Sequence, residues 1–330
     1  MDATIRDDPG ELVAAARAGD RGALARLLSM VERGGARASA VGRIVHSMAG
    51  RAYTVGLTGA PGAGKSTLTS AVVKAVRDRG ERIAVLAIDP SSPYTGGAIL
   101  GDRIRMGEHA LDEGVFIRSM ATRGHLGGLA LATPEAVRVL DAAGFGWVLI
   151  ETVGVGQVEV DVASAADTTV VVVNPGWGDR VQANKAGLME IADIFVINKA
   201  DRPGAEQTRR DLESMLDLTD SGLGSWRPPV VSAVGTTGEG AEVVWEAVVD
   251  HRRHLEQGGE LQRRRRARAL EELAMVVDRR LRVRVDEALG APAGRNVQQA
   301  VADGRIDPWE AADRILAAGG LLSPPAEESF

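Results

Sequence analysis

Short apolar runs alternate with helical patterns along the middle of the chain. The helical patterns include residues 67–79. The runs are rich in β-branched residues, a composition typical of strands in a mostly parallel sheet covered on both faces. Residues 51–255 are therefore predicted to form a doubly wound α/β domain. The six predicted strands are Tyr53–Thr58, Ile83–Ile88, Trp147–Ile150, Thr169–Val173, Ile194–Ile197 and Pro229–Val231.

Helical patterns flank this domain on both sides. Residues 1–50 repeat apolar residues at helical spacing, with a break at Gly19-Asp20. In residues 256–330, the basic run Arg263–Arg266 opens a long helix, and Asp307-Pro308 marks the start of a shorter one. An apolar stripe on the long helix requires a partner surface, either the chain's own domain or a second copy, and periodicity does not choose between them. The stripe comprises Leu270, Leu273, Val277, Leu281 and Val285.

A phosphate-binding loop follows the first predicted strand. Its sequence fits the pattern G-x-x-x-x-G-K-[ST], in which glycines let successive backbone N–H groups face phosphate oxygens. Lys65 is positioned to reach the β- and γ-phosphates, and Ser66 to bind Mg²⁺. The domain is thus predicted to be a P-loop nucleoside triphosphatase. The predicted nucleotide contacts are Gly59, Ala60, Pro61, Gly62, Ala63, Gly64, Lys65, Ser66 and Thr67.

The tetrapeptide Asn198-Lys199-Ala200-Asp201 comes directly after the fifth predicted strand. It fits N-K-x-D, the guanine-reading motif of GTPases. The Asp201 carboxylate can accept hydrogen bonds from guanine N1–H and the exocyclic amine, a donor pair that adenine lacks. Lys199 is expected to lie across the base. Ser232, Ala233 and Val234 follow the sixth predicted strand, where GTPases place a further base-contacting loop. The sequence therefore predicts GTP rather than ATP.

The acidic end of the Trp147–Ile150 strand supplies the predicted hydrolytic centre. Glu151 is expected to support the Mg²⁺ shell, and Gly154 to donate its N–H to the γ-phosphate. Small GTPases place a water-orienting glutamine directly after that glycine, but here the position is Val155. Gln157 is the candidate substitute. With Lys65, these residues form the predicted catalytic set, and slow intrinsic hydrolysis is expected.

Oxygen ligands for Mg²⁺ are predicted at four positions, because this ion prefers carboxylates and hydroxyls and keeps several waters. They are Ser66, Asp89, Asp102 and Glu151. For Asp89 and Asp102, capping of a helix or a turn is an equal alternative.

Composition narrows the range of functions. The net charge of −6 gives no electrostatic basis for binding nucleic acid, and no apolar run is long enough to span a bilayer. The chain contains no cysteine, which excludes disulfides and thiolate metal sites and is consistent with a cytoplasmic location.

The complete set of motifs resembles one family of P-loop GTPases, the proteins that accompany methylmalonyl-CoA mutase, also labelled arginine/ornithine transport-system ATPases. The resemblance covers most of the chain, and Glu151 belongs to the family pattern. The motifs in order are G-A-P-G-A-G-K-S-T, D-P-S-S, T-G-G-A-I-L-G-D-R-x-R-M, R-G-x-L-G-G, E-T-V-G-V-G-Q, N-P-G-x-G-D and N-K-A-D.

This resemblance implies a chaperone of an adenosylcobalamin-dependent acyl-CoA mutase. Such a protein uses GTP/GDP and Mg²⁺, gates cofactor loading and protects the mutase from inactivation. The resemblance also implies a homodimer formed through the C-terminal arm, 256–330. A switch loop at 176–187 would face the mutase, with Asp179 and Lys185 as its charged residues.

Three other functions compete with this one. A metallocentre-assembly GTPase would carry Cys or His metal-binding motifs, and this chain has no cysteine. A small-molecule kinase or a transport-coupled ATPase would not need Asp201. Selectivity for GTP over ATP separates both from the GTPase.

Overall fold

The computed structural model describes residues 8–89, 107–109, 111–121, 128–152, 165–176, 187, 189–218 and 226–320. The chain forms two compact units, residues 1–268 and 269–330.

A seven-stranded sheet is the centre of the first unit, and every strand pairing in it is parallel. The strands are β1 (Tyr53–Gly59), β2 (Ile83–Asp89), β3 (Val115–Ala121), β4 (Trp147–Thr152), β5 (Thr168–Val173), β6 (Ile194–Asn198) and β7 (Val230–Ala233). Their order in the sheet is β3-β2-β4-β1-β5-β6-β7. All the strands thus end at the same edge, where open α/β sheets bind ligands.

Helices cover both faces of this sheet. The described residues of the first unit form the helices α1 (Pro9–Arg17), α2 (Arg21–Arg33), α3 (Gly35–His46), α4 (Lys65–Asp78), α5 (Gly128–Ala142), α6 (Ala205–Asp217), α7 (Ala241–Gln257) and the start of α8 (Glu260–Gly290). One face of the sheet packs against α4 and α7, and the other against the N-terminal helices, α5 and α6. The predicted doubly wound α/β fold is therefore confirmed.

The N-terminal helices belong to the sheet's hydrophobic core. Leu27 and Leu28 of α2 are fully buried in the same cluster as Leu86 of β2 and Ile150 of β4. The predicted break between the first two helices occurs where Asp20 caps α2, its carboxylate accepting hydrogen bonds from Gly22 and Ala23. Burial of these leucines means that the N-terminal helices contribute to the stability of the nucleotide-binding unit.

One strand was not predicted from the sequence. Strand β3 lies at the edge of the sheet and contains Arg118 and Ser119, which interrupt the apolar pattern. The Arg118 guanidinium donates a 2.8 Å hydrogen bond to Glu32 of α2. The positive charge of Arg118 inside the strand is thus balanced by Glu32, which lies 86 residues earlier in the sequence.

A buried carboxylate anchors the start of α8 to the sheet. Asp167 is 1% exposed and precedes β5. Its carboxylate accepts hydrogen bonds from Arg265, at 2.6 and 3.1 Å, and from Arg268. Burial raises the pKa of Asp167, but the Arg265 and Arg268 guanidiniums outweigh burial, so that the pKa lies below its usual range. Asp167 is therefore ionised at neutral pH and fixes the base of the long helix.

The substitution Asp167→Asn is expected to lower the free energy of unfolding by about 3 kcal/mol at pH 7, because two partly buried guanidiniums lose their counter-charge. The native pKa is depressed, so this contribution is present above about pH 4, near the unfolded value, and is lost as pH falls through the native pKa. Urea unfolding at several pH values measures the difference. The control is Asp217→Asn, which removes an exposed ion pair with Arg227. An equal, small effect of both changes would contradict the anchor.

The second unit contains the rest of α8, followed by α9 (Pro292–Ala302) and α10 (Pro308–Ala318). The predicted cap of the last helix is present, with the Asp307 carboxylate accepting from the N–H groups of Trp309 and Glu310. Four residues of the predicted stripe are exposed: Leu270, Leu273, Val277 and Leu281. The apolar side chains of the stripe are thus accessible on this chain.

Candidate nucleotide-binding site

The phosphate-binding loop joins β1 to α4 at the carboxyl edge of the sheet. Gly62 and Gly64 adopt left-handed backbone conformations, with φ of 76° and 85°. A side chain at Gly64 would meet the Asn198 amide nitrogen at 2.5 Å, so only glycine fits there. The loop leads directly into the N-terminus of α4, where the N–H groups and the helix dipole favour an anion.

Lys65 is the first residue of α4 and is buried. Its Nζ donates hydrogen bonds to the carbonyl oxygens of Gly59, at 2.5 Å, and Ala60, at 3.2 Å. The ammonium group therefore lies along the inside of the loop, where a phosphate would replace these carbonyls as its partner.

Ser66 and Glu151 bring two oxygen donors together beside this loop. The Ser66 hydroxyl donates a 2.5 Å hydrogen bond to Glu151 Oε1, and Glu151 is 2% exposed at the end of β4. Among the described residues, no group of three His, Cys, Asp or Glu could hold a metal ion. A hydroxyl and one carboxylate still fit Mg²⁺, which takes few protein ligands when phosphates supply the others.

The guanine motif is joined to the phosphate loop by Asn198, which is 2% exposed. Its Nδ2 donates to the carbonyl oxygens of Ala63, at 2.8 Å, and Gly64, at 3.3 Å. Its Oδ1 accepts from the N–H groups of Lys199, at 2.9 Å, and Gly235, at 3.0 Å. One side chain thus connects three segments that come from β1, β6 and β7.

The other guanine-motif residues lie at the same edge. Lys199 has a left-handed backbone with φ of 59°, and its Nζ donates a 2.6 Å hydrogen bond to the Gly62 carbonyl. Asp201 is exposed. The Ala200 N–H donates to the Ala233 carbonyl at 3.1 Å, which brings the predicted third loop, Ser232, Ala233 and Val234, beside the motif.

The structure does not describe the side chains of several predicted site residues. Asp102, Gly154, Gln157, Asp179 and Lys185 lie outside the described residues, and for Asp89 only the backbone, at the end of β2, is described. Their predicted roles remain predictions.

Two residues that make contacts in the site were missed by sequence reasoning. Asn174, which directly follows β5, donates from Nδ2 to the Gly62 carbonyl at 3.5 Å. Arg209 of α6 donates to the Val230 carbonyl at 2.7 Å and the Ser232 hydroxyl at 2.9 Å. The position of Asn174 after a strand was a usable signal, whereas nothing in the local sequence indicates the Arg209 contacts.

Comparison with known proteins decides the family. The family model for the methylmalonyl-CoA mutase-associated GTPase MeaB matches residues 24–289. The chain belongs to the MeaB family. The resemblance seen in the motifs is thereby confirmed, and the protein is a GTPase, which hydrolyses GTP to GDP and phosphate.

Relatives extend over almost the whole chain. A Pyrococcus abyssi protein that is named as a GTPase is 50% identical to this chain over 318 residues. The alignment covers 95% of this chain and 98% of the Pyrococcus protein. The GTPase ArgK of Escherichia coli is 37% identical over 262 residues, 77% of this chain and 79% of its own. A crystal structure of an LAO/AO transport system kinase superposes with a TM-score of 0.70 at 26% identity, covering 96% of this chain and 97% of that one.

No helix within the described ranges is long and apolar enough to cross a bilayer.

Proposed function

We propose that this GTPase is a chaperone of an adenosylcobalamin-dependent acyl-CoA mutase, with methylmalonyl-CoA mutase as the first candidate. It gates cofactor loading and protects the mutase from inactivation. The observation that carries the proposal is the match of residues 24–289 to a family named for its association with methylmalonyl-CoA mutase. A mouse relative, 39% identical over 216 residues, is named a methylmalonic aciduria type A homolog, which adds support.

The nucleotide site supports a mechanism based on positioning and charge. Lys65 leaves the carbonyls of Gly59 and Ala60 to neutralise the β- and γ-phosphates, while Asn198 and Asp201 hold the base. When bound, Mg²⁺ stabilises the charge that develops on the phosphates. Ser66 would bind the ion, and Glu151 would orient its water shell. The catalytic glycine is Gly154, and Gln157 orients the attacking water.

Hydrolysis by the isolated protein is slow in this mechanism, since Val155 cannot orient water as the glutamine of small GTPases does. The mutase accelerates it by ordering or supplying a group at the active site. A charged group alone is worth roughly 10³–10⁵-fold in related systems. The partner-facing charges are Asp179 and Lys185.

The test is steady-state GTP turnover with and without methylmalonyl-CoA mutase. The expected result is slow turnover that rises sharply with the mutase, in proportion to its concentration until the complex saturates. Two controls are a mutase preparation that has been heat-inactivated and the Lys65→Ala protein with active mutase. Turnover that does not respond to this mutase or to other cobalamin-dependent acyl-CoA mutases would contradict the proposal.

The alternative function, a transport-coupled ATPase, is supported only by the name of a structural relative, the LAO/AO transport system kinase. It is separated from the mutase chaperone by nucleotide selectivity, because a transport-coupled ATPase has no need for the guanine contacts of Asp201. Equal turnover of ATP and GTP would favour that alternative.

The substitution Glu151→Gln is expected to raise the Mg²⁺ concentration for half-maximal GTP turnover about 10–100-fold, because a neutral amide orients the metal's water shell less strongly. A magnesium titration of GTP turnover measures the change. Affinity for GDP without Mg²⁺ should stay near that of the wild type. The matched control is Glu113→Gln at an exposed position. An unchanged magnesium titration would remove Glu151 from the metal site.

We further propose that the chain forms a homodimer through its C-terminal arm. The exposed apolar stripe on α8 supports this, since Leu270 and Leu273 are 61% and 59% exposed. The double substitution Leu273→Glu and Leu281→Glu is expected to give a monomer in analytical ultracentrifugation, with GTP affinity unchanged. The control is Arg279→Glu, roughly 200° around the same helix from Val277. A wild-type monomer, or a dimer that survives the double substitution, would contradict the proposal.

A further inference from the structure

The loop Asn174–Gly176, which follows β5, lies between the phosphate loop and helix α6. At one end, Asn174 Nδ2 donates to the Gly62 carbonyl at 3.5 Å. At the other, the Gly176 N–H donates to the Thr208 hydroxyl of α6 at 3.2 Å. Asn174 Oδ1 is buried and accepts no hydrogen bond from the parts of the chain that the structure describes. Of these two hydrogen bonds between described residues, the bond to Thr208 is the shorter.

Helix α6 is itself fastened to the guanine-reading segments. Arg209, the neighbour of Thr208, donates to the Val230 carbonyl at 2.7 Å and to the Ser232 hydroxyl at 2.9 Å. The helix begins at Ala205, four residues after Asp201, and the Arg202 N–H donates to the Lys199 carbonyl at 3.0 Å. A displacement of either base-contacting segment is therefore transmitted to the first turns of α6.

The hydrogen bond between the loop and the helix is shielded from water, because Thr208 is only 3% exposed. Gly204, at the start of α6, faces Pro175 and Gly176 with room for a side-chain carbon between them. A Cβ added to it would lie 3.8 Å from both the Gly176 nitrogen and Pro175 Cβ, in ordinary van der Waals contact. The buried Thr208 hydrogen bond therefore carries the coupling between the loop and α6.

We infer that Thr208 is a positioning residue through which an occupied guanine pocket holds the loop Asn174–Gly176. The inference rests on the proposed function, in which the segment starting at Gly176 faces the mutase. In this inference, the guanine base, which GDP and GTP share, sets the position of the loop. The empty protein should therefore differ from the GDP-bound protein here, whereas a ligand that fills only the phosphate loop should have little effect.

Trp177 follows Gly176 directly in the sequence, so its fluorescence is chosen as the probe of the loop. Each of two proteins, the wild type and Trp177→Phe, is titrated with GDP. The contribution of Trp177 is the difference between their changes in tryptophan fluorescence. The wild type is expected to show a Trp177-dependent change with GDP and little change with pyrophosphate, which carries no base. An equal change with pyrophosphate would overturn the inference, because the loop would then respond to the phosphate site.

The decisive variant is Thr208→Val, which keeps the shape of the side chain and removes the hydroxyl acceptor. It is expected to lose most of the Trp177 response to GDP while its GDP affinity falls by at most about threefold to tenfold, the ratio for one neutral hydrogen bond. The matched control, Thr208→Ser, keeps the hydroxyl and should keep the response. A full response in the valine variant, or an equal loss in the serine variant, would contradict the role of the hydroxyl. Thermal unfolding verifies that both variants are folded.

Mutase stimulation separates this inference from the proposed function. If both are correct, Thr208→Val reduces the stimulation of GTP turnover by the mutase and leaves the intrinsic rate near that of the wild type. If the mutase stimulates neither protein, the proposed function fails, while the fluorescence experiment still decides whether Thr208 positions the loop.

Discussion

Replacing Lys65 with alanine is expected to slow GTP hydrolysis by on the order of 10²–10³-fold, the range for removing one preorganised donor to developing charge. Lys65 is the buried ammonium group inside the phosphate loop, where it donates to the Gly59 and Ala60 carbonyls. Alanine leaves the backbone N–H groups and the helix N-terminus in place, so some nucleotide affinity should remain. Single-turnover hydrolysis with enzyme in excess measures the chemical step separately from product release.

The control for this change is Lys74→Ala on the same helix. Lys74 is exposed and pairs with Asp78 one turn away, so that its loss should alter neither turnover nor nucleotide affinity. If Lys65→Ala hydrolysed GTP at the wild-type rate, the phosphate loop would not be the hydrolytic centre.

Asp201→Asn is expected to change which base the protein accepts. An asparagine presents one acceptor and one donor where guanine offers two donors, so GTP affinity should fall by up to about 10⁴-fold. Xanthine carries a carbonyl in place of the exocyclic amine, and xanthosine triphosphate should therefore bind the variant better than the wild type. Asp201 is exposed, so its carboxylate is desolvated only when a base binds. Competition against a fluorescent guanine nucleotide measures both affinities.

Asp78→Asn is the matched control, because it makes the same change at an exposed position on α4. It should leave both affinities unaltered. A variant at Asp201 that kept wild-type affinity for GTP and gained none for xanthosine triphosphate would rule out base recognition by this carboxylate.

The fold was largely predictable because its signals are local. Six of the seven strands are short apolar runs, and the phosphate loop lies between one such run and a helix. Strand β3 was missed because Arg118 breaks its apolar pattern, and the compensation comes from Glu32 in a distant helix. A pattern within ten residues cannot indicate that partner.

The candidate site, like the fold, was predictable from the sequence only in part. The identities of the nucleotide-contacting residues follow from two short motifs. The contacts among them do not, since the bond from Lys199 to Gly62 depends on a left-handed backbone and on segments more than 100 residues apart. The basic run Arg263–Arg266 was interpreted only as the opening of a helix. The buried partner of Arg265, Asp167, could be identified only from the packed structure.

Asn198 has a thermodynamic consequence for nucleotide binding. Its hydrogen bonds to Ala63, Gly64 and Gly235 are made entirely by the protein's own groups, so the fold itself joins the base-reading and phosphate-reading loops. The entropy cost of bringing these loops together is therefore part of the folding free energy and does not reduce the affinity for GTP. A substitution that loosens this edge of the sheet would weaken the binding of guanine and of phosphate together, even where it contacts neither.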